Sequence, residues 1–390
     1  MGGLSAATGM SFEFATAARL IVGPGRAAEV PSVLAGLGSR ALICTGSRPG
    51  SHAGLLAELR LPATVITVGR EPTAESARTA AGTAREHGAD VVAAIGGGSV
   101  IDLAKAVAML LGNGGDPLDY LEVIGSGRKI TRPAVPLVAV PTTAGTGAEV
   151  TANAVLASPE HRVKASLRSA LMIPRVAIVD PLLTLSCPPP VTAASGLDAL
   201  TQCLEPFVSV RANALTDCLA AAGLRYAGTG LRRAYADGAD VQARTDMALC
   251  SLLGGMALAN AKLGAVHGLA SAVGGAAGVP HGAACAALLA PVVEANVRAL
   301  RSAQPASPAL SRYAEASRLL TGDAGAAIED GIAWIRQTVT QLRIPRLHEF
   351  GLRPGDFGDI AASAMKASST QGNPVVLTES DLSAILAEAA

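Results

Sequence analysis

The residues best equipped for chemistry lie in Leu263–Val293, a thirty-one-residue stretch without Lys, Arg, Asp or Glu that carries His267 and His281. Two imidazoles in so apolar a segment fit three arrangements: a membrane span, a hydrogen-bonded core pair or a metal site. Its length permits a bilayer crossing. Six glycines and two prolines make a poor lipid-facing helix, however, and the segment reads as a buried helix–loop–helix with one histidine on each turn. A metal site would also need a carboxylate. Gly196–Gln202 supplies Asp198, with Gln202 four residues later on the same helix face, and Ser271 bears that relation to His267. Asp198, Gln202, His267 and His281 would offer one carboxylate, one amide oxygen and two imidazoles, a set suited to Fe2+ or Zn2+. An Asp near a helix N-terminus also serves as a dipole partner, and spacing alone does not separate the two roles.

A second constellation is Gly96-Gly97-Gly98-Ser99, set between the apolar run Asp90–Ile95 and a helical run through Leu111. Glycines at a strand–helix junction let backbone N–H groups approach a diphosphate, and the helix terminus adds partial positive charge. A plain tight turn has the same signature, and the spacing is not G-x-G-x-x-G. Asp102 and Lys105 follow on that helix, and Pro141–Gly147 forms another polar turn after a strand. Two such loops on one sheet edge point to a dinucleotide crevice. Gly46-Ser47-Arg48 falls where the adenosine ribose would lie. An acidic residue there would pair the 2′-hydroxyl of NAD; Ser47 and Arg48 favour NADP.

These residues need a scaffold. Apolar runs at Arg19–Val22, Ala41–Thr45, Ala63–Val68, Asp90–Ile95, Pro136–Val140 and Arg175–Val179 alternate with helical stretches at Arg26–Leu37 and Thr73–His87. That alternation predicts a parallel sheet covered on both faces, with an inserted hairpin at Val150–Leu156 and Arg162–Leu167. After the proline-rich joint Asp180–Pro190 the periodicity turns helical, with helices near 191–207, 212–236, 240–261, 263–277, 282–300, 308–321, 325–342, 355–366 and 378–389. Two domains follow: residues 1–185 as an α/β dinucleotide-binding unit and 186–390 as an all-helical metal and substrate unit.

Composition narrows the class. The formal charge is +0, which gives no electrostatic basis for binding nucleic acid or an anionic membrane surface. A mean hydropathy of +0.39 reads as alanine-rich helices plus a buried face of a homodimer or larger assembly. Cys44, Cys187, Cys203, Cys218, Cys250 and Cys285 show no C-x-x-C spacing, which suits reduced thiols in the cytoplasm. Cys203 lies beside Gln202 without a zinc motif around it. Residues 1–11 lack the basic start and apolar core of a signal peptide and read as a disordered opening.

In order, GGGS with D-x-x-K, P-T-T-A-G-T-G-A-E, A-I-V-D-P, G-L-D-A-L-T-Q and the V-H-G…P-H-G pair resemble the iron-containing (group III) alcohol dehydrogenase superfamily, from about Phe14 to the C-terminus. That superfamily includes maleylacetate reductases, whose branch the Gly372-Asn-Pro-Val segment fits, and is related to dehydroquinate synthase. The resemblance implies a dehydroquinate synthase-like fold, with the site in the cleft between an α/β and an all-α domain. It assigns Gly97, Gly98 and Ser99 to the pyrophosphate, places Thr142, Thr143 and Thr146 along the cofactor, Leu183 on its adenosine side and Lys164 at the cleft, and makes Asp198, His267 and His281 three of four metal ligands. Gln202 replaces the fourth, a histidine, and Ser271 replaces a histidine assigned to proton relay. The expected reaction is hydride transfer between NADP or NAD and a small alcohol or aldehyde. Ser271, a cofactor ribose hydroxyl or water would carry the proton, and without metal His267 or His281 would polarise the carbonyl. The competing readings are a metal-independent maleylacetate reductase, a dehydroquinate synthase-like lyase and a non-catalytic cofactor-binding protein.

Overall fold

Strands buried on both faces form the centre of the first half, as near-continuous apolar runs require. The computed structural model describes residues 11–69, 71–161 and 163–390; the opening expected to be disordered falls largely in residues 1–10, outside them. Its first elements are β1 (Arg19–Val22), α1 (Val30–Ala35), β2 (Ala41–Gly46), α2 (Ala53–Ala57), β3 (Ala63–Val68), α3 (Ala74–His87), β4 (Val91–Gly96), α4 (Gly98–Asn113), α5 (Pro117–Tyr120) and β5 (Leu137–Pro141). The hairpin β6 (Asn153–Ser158) and β7 (Val163–Arg168) comes next, then β8 (Val176–Val179). The sheet order is β1-β8-β5-β4-β2-β3 with every pairing parallel. From β2 the chain steps outward to β3, and from β4 it steps the other way, so a topological switch lies between β2 and β4. Ligand crevices form outside the carboxyl ends of strands at such a point. Gly46, Gly96, Pro141 and Val179 end their strands along that edge.

Local signals set several boundaries. Thr73 caps α3, accepting from Ser76 N at 3.0 Å. The helix expected at Arg26–Leu37 instead opens with a 3-10 turn at Arg26–Glu29 before α1. The hairpin starts later than expected because Val150 belongs to a 3-10 turn, Ala148–Val150, packed against the helical half.

The second half is helical: α6 (Pro189–Val208), α7 (Ala214–Ala236), α8 (Val241–Ala261), α9 (Ala265–Ala277), α10 (His281–Ala303), α11 (Pro308–Thr321), α12 (Ile328–Gln341), α13 (Phe357–Lys366) and α14 (Glu379–Ala389). Among the described residues one helix, α10, is by itself long and apolar enough to cross a membrane, yet 78% of its most apolar window is buried inside the fold. It is a core helix. The halves touch backbone to backbone where Gly147, at φ +57°, meets Gly255: a Cβ on Gly147 would lie 2.5 Å from the Gly255 Cα. Gly147 N also donates to Ser251 Oγ at 3.2 Å.

Candidate active site and metal centre

α6 presents Asp198, Gln202 and Glu205 from one face, four and then three residues apart. All three are buried. Asp198 sits midway along the helix and is therefore no cap. His267 projects from the first turn of α9, and His281 is the first residue of α10. The His267 Nε2 and His281 Nε2 atoms lie 3.3 and 3.7 Å from Asp198 Oδ1, and the two ring centroids are 5.4 Å apart. Of the three arrangements open to these histidines, the fold selects convergence on a carboxylate.

Glu205 explains how His267 is held. Its Oε2 accepts from His267 Nδ1 at 2.7 Å, and its Oε1 accepts from Val266 N at 2.7 Å. Asn373 Oδ1 accepts from Ala265 N at 3.1 Å. Gly264, the N-cap of α9, offers no side chain of its own, so Glu205 and Asn373 satisfy the first free amides of the helix. They fit because residue 264 is glycine: a Cβ there would meet them at 2.8 and 2.9 Å. With Nδ1–H donated to a carboxylate, the ring leaves Nε2 free to ligate, the arrangement found behind metal-bound imidazoles.

Two buried oxygens confirm that the cluster is incomplete as a hydrogen-bonded core. Asp198 Oδ1 and Gln202 Oε1 have no hydrogen-bond partner, although leaving buried polar atoms unpaired is costly. Gln202 Nε2 donates to Gly145 O at 3.1 Å, which fixes the amide with its oxygen free. The donor set fits a divalent cation. Burial opposes ionisation of Asp198, but the His281 and His267 imidazoles hold its carboxyl below the ordinary value. Burial pulls His267 down, and neighbouring Cys285, Asp198 and Glu205 more than reverse it; the Cys285 sulfur and Asp198 raise His281 to about 9.

The thiol beside the cluster is Cys285, whose Sγ is 3.7 Å from His281 Nε2. Cys203, next to Gln202 in sequence, turns toward Cys250, with the sulfurs 3.8 Å apart. Glu205 and Cys285 escaped the sequence reading. Their signals were present: Glu205 continues the Asp198–Gln202 face by three residues, and Cys285 lies one helical turn beyond His281.

A cavity of about 360 Å³ connects this cluster to the sheet edge, lined by Gly98, Ser99, Asp102, Thr146, Lys164, Gln202, His267, Ser271 and His281 among others. Gly97 caps α4 with no side chain. A Cβ on Gly98 would sit 2.8 Å from Thr146 Oγ1, so glycine allows the two strand-end loops to touch. Thr142 and Thr143 follow β5 on the same edge, Leu183 lies half-buried just after β8, and Ser47 and Arg48 are exposed after β2. These five positions, with Gly46 and Gly97, flank the crevice and do not line the cavity. Burial raises the Cys187 thiol, partly offset by Arg244 and Arg48; that thiol donates to Thr142 O at 3.1 Å, which puts Arg48 close to the β5 loop.

Lys164 reaches the cavity already paired, with Nζ 2.6 Å from Glu71. Arg168 is likewise bound to Glu122 at 2.9 Å. Asp102 accepts from Val155 N at 3.2 Å, and burial lifts its carboxyl to about 6 against the pull of Lys105. Lys105 turns away from the crevice, donating to Thr151 Oγ1 at 2.7 Å and Asn153 O at 2.9 Å. It fastens the hairpin to α4.

The sequence matches the iron-containing alcohol dehydrogenase family over residues 17–181 and the C-terminal part of the Fe-containing alcohol dehydrogenase family over residues 192–390. The chain belongs to this family. Alcohol dehydrogenase 4 of Saccharomyces cerevisiae is 39% identical over 306 residues, covering 78% of this chain and 77% of that protein. The 1,3-propanediol dehydrogenase of Klebsiella pneumoniae is 37% identical over 329 residues, 82% of each chain. A solved 1,3-propanediol oxidoreductase superimposes with a TM-score of 0.90 at 32% identity, covering 98% of this chain and 100% of that one. Membership carries the coarse chemistry: NAD(P), a divalent metal, and interconversion of an alcohol and an aldehyde by an alcohol dehydrogenase. The maleylacetate reductase, lyase and non-catalytic readings gain nothing from these relatives.

Proposed function

We propose that the chain interconverts a small alcohol and its aldehyde or ketone in the cavity between the α4 terminus and the Asp198 cluster. The observation that carries the reading is the pair of unpartnered oxygens: Gln202 lines the same cavity as Gly98 and Ser99, and Asp198 Oδ1 lies just behind it, 3.3 and 3.7 Å from the cavity-lining His267 and His281. A divalent ion held by Asp198, Gln202, His267 and His281 would polarise the substrate oxygen as a Lewis acid. The nicotinamide would take or give hydride. Gly97, Gly98 and Ser99 would hold the diphosphate through backbone N–H groups, and Thr142, Thr143 and Thr146 would line its path. Glu205 keeps His267 Nε2 turned inward. Ser271, one turn beyond His267 and lining the cavity, would pass the hydroxyl proton from its Oγ toward solvent. The Glu71 partner orients Lys164 at the cleft.

Ser47 and Arg48 support NADP over NAD, since no carboxylate from that turn would repel a 2′-phosphate. The cavity must take the nicotinamide as well as the substrate, which favours short alcohols and aldehydes. Sheet residues ending at Val179 and helix starting at Pro189 support the division at 185/186. Uncovered apolar side chains, Leu20 on edge strand β1 among them, support a homodimer or larger assembly. Six free thiols support a reducing, cytoplasmic setting.

The test is a scan of short primary and secondary alcohols and their carbonyl partners with NADP(H) and NAD(H), using protein stripped of metal and reloaded with Fe2+ or Zn2+. Turnover that requires metal and prefers NADPH supports the reading; bound NADPH without turnover of any substrate sinks it. Arg48→Asp should lower kcat/KM with NADPH by about 100-fold or more and leave NADH nearly unchanged.

A further inference from the structure

We propose that Cys285 is a thiolate ligand of the metal centre and makes it a zinc-type site; this rests on the metal reading above. Cys285 follows His281 by one turn on α10, so both side chains leave the same face. Its side chain is buried, its sulfur is 3.7 Å from His281 Nε2, and the donor atoms of Asp198, His267, His281 and Cys285 all lie within 4.8 Å of one another. Tetrahedral zinc, with bonds of about 2.0–2.1 Å to N or O and about 2.3 Å to S, spaces its ligands by roughly 3.3–3.6 Å. The separations of 3.3, 3.7 and 3.7 Å about Asp198, His267, His281 and Cys285 are close to that figure. Asp198 Oδ1, the atom at 3.3 and 3.7 Å from the two imidazoles, has no hydrogen-bond partner of its own.

Charge makes the case beyond spacing. With Cys285 in the fourth place rather than Gln202, the substrate oxygen would join as a fifth ligand. Asp198 and two neutral imidazoles bring one negative charge to a dication in a buried helical pocket. A thiolate brings the second, so the buried centre becomes neutral. Gln202 offers only a neutral amide oxygen, a weak donor to a transition metal. A thiolate is soft and favours zinc over iron(II) in competition with oxygen donors. On binding, the Cys285 S–H bond breaks, the proton leaves to solvent and the sulfur lone pair forms the metal bond.

The test titrates metal-stripped full-length protein with cobalt(II) chloride, and separately examines zinc-loaded protein by X-ray absorption. A thiolate-to-cobalt charge-transfer band in the near ultraviolet, saturating at one equivalent, supports the proposal, as does one sulfur scatterer about 2.3 Å from zinc. Cys285→Ser and Cys285→Ala should abolish the band and weaken zinc more than about 100-fold, past the range typical of outer hydrogen-bond partners. Bound cobalt without the band, a zinc shell of nitrogen and oxygen alone, or a band that persists in Cys285→Ala overturns the thiolate role and leaves the Asp198–Gln202–His267–His281 centre standing. Protein that binds neither metal overturns both.

Discussion

Glu205 accepts the Nδ1 proton of His267 at 2.7 Å while its other oxygen holds the amide of Val266 at the same distance. One carboxylate thus sets both the start of α9 and the direction of the imidazole it carries. Replacing it separates those duties. Glu205→Gln should keep much of the helix start but weaken metal binding by about 10- to 100-fold, measured by competition with a chromogenic chelator. Glu205→Ala should do the same and also cost about 2–3 kcal/mol of stability through unpaired buried donors, read from urea midpoints.

Gln202→His restores an imidazole where only an amide oxygen stands. Gln202 lines the cavity and its Oε1 lacks a partner, so an imidazole there would face the open space rather than packed core. Metal retention on dialysis against chelator should rise by about tenfold or more, at a modest cost from losing the bond to Gly145 O. Unchanged or weaker retention would show that the Gly145 contact matters more than the donor.

Gly98→Ala tests the contact between the two crevice loops. The added methyl would meet Thr146 Oγ1 at 2.8 Å and Cγ2 at 2.9 Å, so one loop must move. The Kd for NADPH, followed by cofactor fluorescence, should rise about tenfold or more with little change in thermal midpoint. Adding Thr146→Ala should recover most of the loss, because the clash is with that side chain.

Glu149 should make stability fall as pH rises. Burial raises its carboxyl from the ordinary 4.5 to about 7 in the folded chain, so the fold binds its proton more tightly than the unfolded chain. The favourable contribution is full below about 4.5 and is lost as pH climbs through 7. The unfolding free energy from denaturant titrations across that window should drop by about 3 kcal/mol, and Glu149→Gln should flatten the slope. A variant with the wild-type slope would exclude Glu149 as its source.

Much of this was legible in the chain because the signals were local. Apolar runs such as Val91–Gly96 had to be strands, and Gly96–Ser99 had to turn tightly into a helix. Asp198 and Gln202 shared a face by spacing alone, and the charge-free setting of His267 and His281 marked them for a common purpose. What the sequence withheld was choice among neighbours. Cys203 adjoins Gln202 in sequence but faces α8, whereas Cys285, far along the chain, meets the histidines. Asp102 and Lys105 sit three residues apart, yet one lines the cavity and the other ties down the hairpin. Such choices depend on which helices cross, and no periodicity records that.

The turn Gly145–Gly147 touches three things at once: the Gln202 amide through Gly145 O, the α4 terminus through Thr146, and α8 through Gly147. On the proposed reading, a dinucleotide seated against Thr146 would bear on the same short segment that holds the Gln202 amide with its oxygen free. Occupancy of one pocket would then be felt in the other, and thermodynamic reciprocity would make the effect two-way. Whatever factor the nucleotide applies to the ion's dissociation constant, the ion returns to the nucleotide's.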